Sequence, residues 1–190
     1  MIRPDALKTV AAGILMAVLT GCAMTTSDPA STALPSRAQH DFGAAVAAMQ
    51  AQQWQDAEVL LQPLAVAYPR AAGVNLNLGI VYFELGRVGD AEQVLRAAVA
   101  AAPANMDAAN WLGRVLREQG RFDEAETVYS AALKRDPDHP ATHRNLGILY
   151  DLYLGKPAEA QAHYLRYQAL QGEPPDRQVA GWLADLERRL

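Results

Sequence analysis

Cys22 is the only cysteine in this 190-residue chain, and its thiol is the most reactive group that the sequence contains. A cysteine sulfur can act as a nucleophile, bind a metal, form a disulfide or carry an acyl chain. A single cysteine excludes a disulfide within one molecule. The chemistry of Cys22 therefore depends on the segment in which it stands.

The residues before Cys22 have the composition of a secretory signal. Arg3 and Lys8 precede an apolar run over residues 10–19, and Leu-Thr-Gly leads to the cysteine. An apolar run this short is typical of a signal peptide and not of a membrane span. Leu-Thr-Gly-Cys resembles the bacterial lipobox, which implies acylation of the Cys22 sulfur and cleavage in front of it. We interpret residues 1–21 as a lipoprotein signal peptide, with an unmodified thiol as the alternative.

The residues after Cys22 indicate where the lipid would hold the protein. Several buried acyl chains, at about 0.8 kcal/mol per methylene, make attachment permanent on a cellular timescale. An aspartate after the cysteine resembles the signal for retention at the inner membrane of diderm bacteria, but Ala23 stands there. In a diderm host this favours the periplasmic face of the outer membrane.

Residues 22–37 are small, polar and proline-bearing, so we expect a flexible tether.

Histidine is the other residue type that could bind a metal. His139 and His143 have the spacing of a helical ligand pair, but Pro140 and the boundary between two repeat units lie between them. We therefore expect a loop histidine and a surface histidine, not a metal site. His40 and His163 are isolated in the sequence, and we expect surface or cap positions for them.

The sequence lacks the motifs of enzyme active sites. It has no phosphate-binding glycine loop and no Gly-x-Ser-x-Gly, and an acylated Cys22 is not a nucleophile. The formal net charge is −4, whereas a nucleic-acid-binding protein is expected to carry a basic stripe. We predict a non-enzymatic protein with no cofactor, no metal, no nucleic-acid partner and no small-molecule substrate.

A thirty-four-residue period organises the rest of the chain. Two residue types recur at that interval, namely Ala57, Ala91 and Ala125 and Pro69, Pro103 and Pro137. The eighth position of units two to four is Gly79, Gly113 and Gly147, and the twenty-fourth position holds a large residue such as Tyr129. A period of this length indicates a solenoid, in which each unit buries its apolar face against the next. We expect the paired helices to approach closely at the eighth and twentieth positions, where both are small.

This pattern resembles the tetratricopeptide repeat, which has Leu-Gly in its first helix, Gly at the turn, Ala and an aromatic residue in its second helix, and Pro after it. The matching residues are Leu78, Gly79, Tyr82, Gly86, Ala91, Ala98 and Pro103 in the second unit and Leu112, Gly113, Gly120, Ala125, Tyr129, Ala132 and Pro137 in the third. The first unit departs from the pattern at Ala44, Ala45 and Gln52, and the fourth has a one-residue insertion near Leu154. The resemblance covers residues 38–172.

The resemblance implies an all-α, right-handed superhelical solenoid of about four helix pairs, with units 38–71, 72–105, 106–139 and 140–172. Proline stops a helix, and glycine permits the positive φ with which helices commonly end. From these signals we predict first helices over 38–50, 73–85, 107–119 and 141–153, and second helices over 55–67, 89–101, 123–135 and 158–171.

Residues 173–190 follow the array and read as one more helix. Asp176 can cap it, and an apolar stripe runs along Val179, Trp182, Leu183, Leu186 and Leu190. A terminal repeat needs a polar outer face, so we predict a C-terminal capping helix packed on the fourth unit. The alternative is a partner-binding helix with Trp182 as its anchor.

The family resemblance also implies a binding groove, which the first helices line. The positions that face it in the family correspond here to Phe42, Val46, Met49, Leu76, Asn77, Ile80, Phe83, Asn110, Trp111, Arg114, Arg117, Arg144, Asn145, Ile148 and Asp151. Apolar residues dominate one half and Asn and Arg the other, which suits an amphipathic helix or an extended segment. We expect Arg114 and Arg144 to have little role in packing. The alternative for Phe83 and Trp111 is packing between neighbouring units.

The plan of the whole chain, a lipid anchor and a short repeat array, resembles bacterial outer-membrane lipoproteins. These act as pilotins for pilus secretins, as outer-membrane assembly subunits, or as adaptors for envelope proteases and Ton-like systems. The resemblance implies a scaffold that binds protein partners in the cell envelope. The alternatives are a peptidoglycan- or glycan-associated protein and, less favoured, an enzyme. The family's chaperone-type carboxylate clamp is not expected, because Gln39, Phe42, Gly73 and Leu76 occupy its basic positions.

Overall fold

A computed structural model describes residues 34–190 of the chain. Within these residues there are nine α-helices and no strand: α1 (Ser36–Gln50), α2 (Trp54–Ala67), α3 (Ala72–Glu84), α4 (Val88–Ala101), α5 (Met106–Glu118), α6 (Phe122–Arg135), α7 (Pro140–Leu152), α8 (Pro157–Gln171) and α9 (Arg177–Arg189). None of these helices is both long and apolar enough to cross a membrane. The predicted signal peptide, Cys22 and the tether as far as residue 33 lie outside the described residues.

Proline ends the second helix of each of the first three pairs. Pro69, Pro103 and Pro137 each stand two residues after the last residue of α2, α4 or α6. A proline disfavours the helical conformation of the residue before it, and Tyr68 and Asp136 accordingly have φ near −130° and positive ψ. The predicted helix pairs therefore end where the prolines stand.

Glycine closes the turn between the helices of units two and three. Gly86 and Gly120 both have φ of 75°, the left-handed region that a side chain disfavours. Gln52 takes the same place in the first unit with φ of 58°.

The tether prediction was two residues too long, because Ser36 and Arg37 form the first turn of α1.

The helices stack so that the first helices form the inner row. Each of α1, α3, α5 and α7 contacts the next in that order, whereas no two of α2, α4, α6 and α8 approach within 8 Å between Cα atoms. A row of helices that touch lies on the shorter side of a curved array. The first helices therefore line the concave face, and the predicted class, an all-α solenoid of four helix pairs with a capping helix, is confirmed.

The eighth-position glycines make room for one large side chain in each unit. A Cβ added to Gly113 would lie 2.4 Å from Cε1 of Tyr129, and one on Gly147 would lie 2.5 Å from Cε1 of Tyr164. The corresponding distance from Gly79 to Cγ of Leu95 is also 2.5 Å. We expected the eighth and twentieth positions to bring the helices together. The structure shows that the glycine is needed because the twenty-fourth side chain lies directly on it.

The C-terminal helix packs its apolar stripe against the fourth unit. Val179 and Leu186 are fully buried, and the half-buried ring of Trp182 lies 5.3 Å from that of Tyr164. The Asp176 carboxylate accepts hydrogen bonds from the first backbone amides of α9. Only the last residue of the predicted stripe does not pack on the array, since Leu190 is 62% exposed. The helix therefore uses its apolar face within the molecule.

Candidate protein-binding groove

The predicted groove residues lie on the row of first helices α1, α3, α5 and α7. All of them are partly exposed except Asn110, which is 7% exposed, and the side chain of Asp151, which is 6% exposed. The first two units contribute mainly apolar side chains, and the third and fourth contribute arginine and asparagine. The helices therefore present one continuous surface with an apolar half and a cationic half.

An aromatic pair joins the two halves of the groove. The rings of Phe83 and Trp111 meet edge to face, with centroids 5.7 Å apart, across the boundary of units two and three. The Arg114 guanidinium lies 4.7 Å from the Phe83 centroid and 4.4 Å from the Trp111 centroid. Both rings pack between units and remain partly exposed, so packing and lining the groove are compatible at this point.

The asparagines of the groove make hydrogen bonds within the protein. Asn145 Nδ2 donates to Asn110 Oδ1 at 3.0 Å, which joins α7 to α5. Asn77 Nδ2 donates to the carbonyl of Gly73 at 2.8 Å. Asn110, which the family pattern assigns to the groove, is instead buried, because it lies between two first helices.

Arg117 has a largely enclosed guanidinium in the groove. Its Nε and Nη1 atoms are buried and have no hydrogen-bond partner among residues 34–190, and the same is true of the Tyr129 hydroxyl oxygen. Burial raises the pKa of the Tyr129 phenol, while the charges of Arg117 and Arg114 act to lower it. Both cations therefore act on the same unpartnered hydroxyl.

Arg144 contacts the capping helix. Its Nη2 donates to Oε1 of Gln178 at 3.0 Å, and its guanidinium lies 5.2 Å from the centroid of Trp182. The expectation of little role in packing is therefore wrong for Arg144, and it is also wrong for Arg114, whose guanidinium stacks on Phe83 and Trp111. Gln178 lies thirty-four residues after Arg144, so side chains of α9 meet those of α7 at the repeat interval, although no Cα atoms of the two helices lie within 8 Å.

The cations of the groove have no carboxylate partner within the described residues. Arg114, Arg117 and Arg144 form no ion pair within 4.0 Å there, and Asp151, the one acid assigned to the groove, is 2.6 Å from Arg189 of α9. Burial and, among the charges, Arg117 lower the pKa of Arg114, against the opposing effect of Glu84. The arginines on α5 and α7 therefore keep their positive charges without a carboxylate in contact.

Three of the four histidines have structural contacts, whereas His40 is exposed on α1, as predicted. His163 is half-buried beside His143 and not on the surface. His139 caps α7 and accepts from the amide of Thr142 at 3.3 Å. His143 is buried instead of on the surface, because its Nε2 donates to the carbonyl of Pro137 at 2.8 Å and its Nδ1 lies 2.9 Å from Nδ1 of His163. Among residues 34–190 no three His, Cys, Asp or Glu side chains are grouped to hold a metal ion.

A ladder of ion pairs that the sequence analysis missed links consecutive units. Each pair joins a cation in the turn of one unit to a glutamate in the second helix of the unit before it. The pairs are Arg87–Glu58 at 2.6 Å, Arg121–Glu92 at 2.7 Å and Lys156–Glu126 at 3.1 Å. The signal was the recurrence of a base about twenty-nine residues after each glutamate. Such partly exposed pairs contribute little each, but each joins corresponding positions of two neighbouring units.

The fold is similar to that of several solved structures. Pseudomonas aeruginosa PilF superimposes with a TM-score of 0.72 and 24% identity, over 80% of this chain and 68% of that one. TTC0263, a thermophilic tetratricopeptide-repeat protein of Thermus thermophilus, gives 0.68 and 21%, over 80% and 82%. The type III secretion translocator chaperone SycD of Yersinia enterocolitica gives 0.58 and 20%, over 63% and 85%. No curated protein sequence matches the chain significantly.

The repeat signature itself extends over more than half of the sequence. The family model described as tetratricopeptide repeat matches residues 42–106, 76–140 and 111–152. These overlapping matches span the first helix of unit one to the first helix of unit four, the same helices that form the groove. The chain therefore belongs to the tetratricopeptide-repeat family.

Proposed function

We propose that the protein is a non-enzymatic adaptor that binds protein partners in the groove formed by its first helices. The observation that carries this proposal is the continuous row of partly exposed side chains on the first helices of the four units, from Phe42 on α1 to Ile148 on α7. Such a surface can hold an amphipathic helix or an extended segment of another protein. The protein's activity is then to position that partner.

The composition of the groove supports a protein ligand. Tryptophan and arginine are the residue types that most often dominate binding energy at protein interfaces. Trp111 and Arg114 stand together at the centre of the row, next to Phe83. The similarity in fold to the translocator chaperone SycD is consistent with this function.

The proposed site of action is the periplasmic face of the outer membrane. Leu-Thr-Gly-Cys and the following Ala23 support a lipid on Cys22 and sorting to that membrane. Fully extended, residues 23–35 would reach roughly 45 Å. That length allows the array to engage a partner beyond the lipid headgroups.

A pair of matched substitutions tests the groove. Ile80→Arg places a bulky cation on the groove in α3, whereas Val66→Arg places the same side chain on α2 at a residue that is 79% exposed. The protein is recovered from cross-linked cell envelopes, and the proteins bound to it are quantified. We expect Ile80→Arg to lose the specific partner and Val66→Arg to keep it. Loss with Val66→Arg alone would place the binding surface on the second helices.

A further inference from the structure

The arginines of the protein differ in their surroundings according to the face on which they lie. On the second helices, Arg96 is 2.8 Å from Glu92, and Arg166 is paired with Asp138. On α5, Arg114 and Arg117 lie in the groove with no carboxylate within 4.0 Å among residues 34–190. Glu84 and Glu118 act on Arg114 only from farther away. Arg96 and Arg166 are therefore neutralised by carboxylates of the protein itself, whereas Arg114 and Arg117 are not.

The geometry of Arg114 suits a bidentate acceptor. Its guanidinium lies close to the faces of Trp111 and Phe83, at 4.4 Å and 4.7 Å from their centroids. A guanidinium that stacks on aromatic rings keeps its N–H groups at its edge, where they match the two oxygens of a carboxylate. The rings also restrict the side chain before a ligand arrives, so less conformational entropy is lost on binding.

Arg117 adds a second positive charge to the same helix. Two of its nitrogen atoms are buried without an acceptor, and the adjacent second-helix hydroxyl of Tyr129 has none either. These two nitrogen atoms are too buried for a ligand to reach, so Arg117 acts on a partner through its charge. Asp151 does not neutralise that charge, because Arg189 of the capping helix pairs with its carboxylate.

We infer that the segment recognised by the groove is acidic: a partner carboxylate binds Arg114 and Arg117 on α5, while apolar side chains of the same segment lie on Leu76, Ile80 and Phe83 of α3. This inference rests on the proposed function and specifies its ligand. It assigns a polarity to the bound segment, with its acidic part over the third unit and its apolar part over the second.

A peptide selection tests the inference with the full chain purified in detergent. Random twelve-residue peptides displayed on phage are selected against the wild type. The tightest binders are synthesised with a fluorescent label, both as selected and with every Asp and Glu changed to Asn and Gln. Dissociation constants are measured by fluorescence anisotropy for the wild type, for Arg114→Gln with Arg117→Gln, and for the control Arg96→Gln with Arg166→Gln, which removes the same charge from second helices.

The inference predicts that acidic residues are enriched and that their neutralisation weakens binding to the wild type roughly tenfold or more. The groove variant should bind both peptide forms within about twofold of each other, and the control should keep the wild-type preference. If the wild type binds both peptide forms equally, the inference is overturned but the proposed groove function is not. This result does not depend on whether the variants fold. A preference that persists in the groove variant overturns the assignment to Arg114 and Arg117. Failure to select any peptide counts against both the inference and the proposed function.

Discussion

The guanidinium of Arg114 lies 4.4 Å from the centroid of the Trp111 ring, three residues earlier on the same helix. Phe83 of the preceding unit meets the same ring edge to face. This contact joins the apolar and cationic halves of the groove into one rigid centre. Rigid aromatic and arginine side chains bind with little loss of conformational entropy, so we regard this cluster as the anchor of the surface.

The contact between Gly113 and Tyr129 predicts a strong effect of one methyl group. Gly113→Ala would place a Cβ 2.4 Å from the Tyr129 ring, and overpacking of this kind costs roughly 1 to 3 kcal/mol. Gly43→Ala is the control, because nothing lies within 4 Å of its added Cβ in α1. It should stabilise the protein by roughly 0.5 to 1 kcal/mol. Urea unfolding measures both, and equal effects of the two changes would contradict the packing described here.

The capping helix predicts a second contrast. Leu186 is fully buried, whereas Leu190, which directly follows the last residue of α9, is 62% exposed. Leu186→Ala should lower the free energy of unfolding by roughly 2 to 5 kcal/mol, whereas Leu190→Ala should change it by no more than about 0.5 kcal/mol. Thermal melts and urea titrations measure both variants. If Leu186→Ala melts like the wild type, α9 does not stabilise the array.

The sequence predicted the helices well because their boundaries depend on local chemistry. Pro103 and Gly120 act through their own backbone, so their positions mark where a helix ends or turns. The close packing at Gly113 was also predictable from the period, but its partner was not, since the side chain that lies on it belongs to Tyr129 at the twenty-fourth position and not to the twentieth. The hydrogen bond from His143 to the Pro137 carbonyl was not, because it depends on a side-chain rotamer and on which backbone groups lack a partner.

The groove was predictable in outline only. The family pattern placed Arg144 on the inner row, but its contact with Gln178 and Trp182 requires the capping helix to continue the register of the array. The burial of Asn110 likewise depends on Asn145 in the next unit. Such contacts join positions about thirty-five residues apart. A residue pattern places both side chains on the same face, but it does not show whether they will bond to each other or remain available to a ligand.

The histidine pair predicts a loss of stability in mild acid. Burial, with the nearby His143, lowers the pKa of His163 to about 4 from its ordinary value of 6.5. The unfolded chain therefore binds a proton before the folded protein does, and stability falls as the pH decreases from about 6.5 to 4. The site is partly solvated, so we expect roughly 1 to 2 kcal/mol from this group.

Urea unfolding at pH 7 and pH 4.5 measures this effect. The difference between the two pH values should shrink in His163→Gln and stay the same in His40→Gln, a change at an exposed site on α1. An identical difference in wild type and His163→Gln would show that other groups cause the acid sensitivity.

The anchor prediction concerns Cys22. Cys22→Ala removes the sulfur that the lipid would modify, and the array begins at Ser36, so its helices should be unaffected. We expect the variant to incorporate no labelled palmitate and to leave the outer-membrane fraction, with unchanged helicity by circular dichroism. Cell fractionation by density gradient gives the result. If the variant incorporated palmitate and sedimented with the outer membrane as the wild type does, the lipid anchor on Cys22 would be ruled out.

Site-specific photo-cross-linking in living cells tests the central claim most directly. The photoreactive residue p-benzoylphenylalanine is placed at Ile80 or Ile148 on first helices, and at Val66 or Leu165, which are exposed on second helices. Adducts of defined mass should form from Ile80 and Ile148 and be absent from Val66 and Leu165, because the partner lies in the groove. Adducts that form only from Val66 and Leu165 would contradict a binding groove on the first helices.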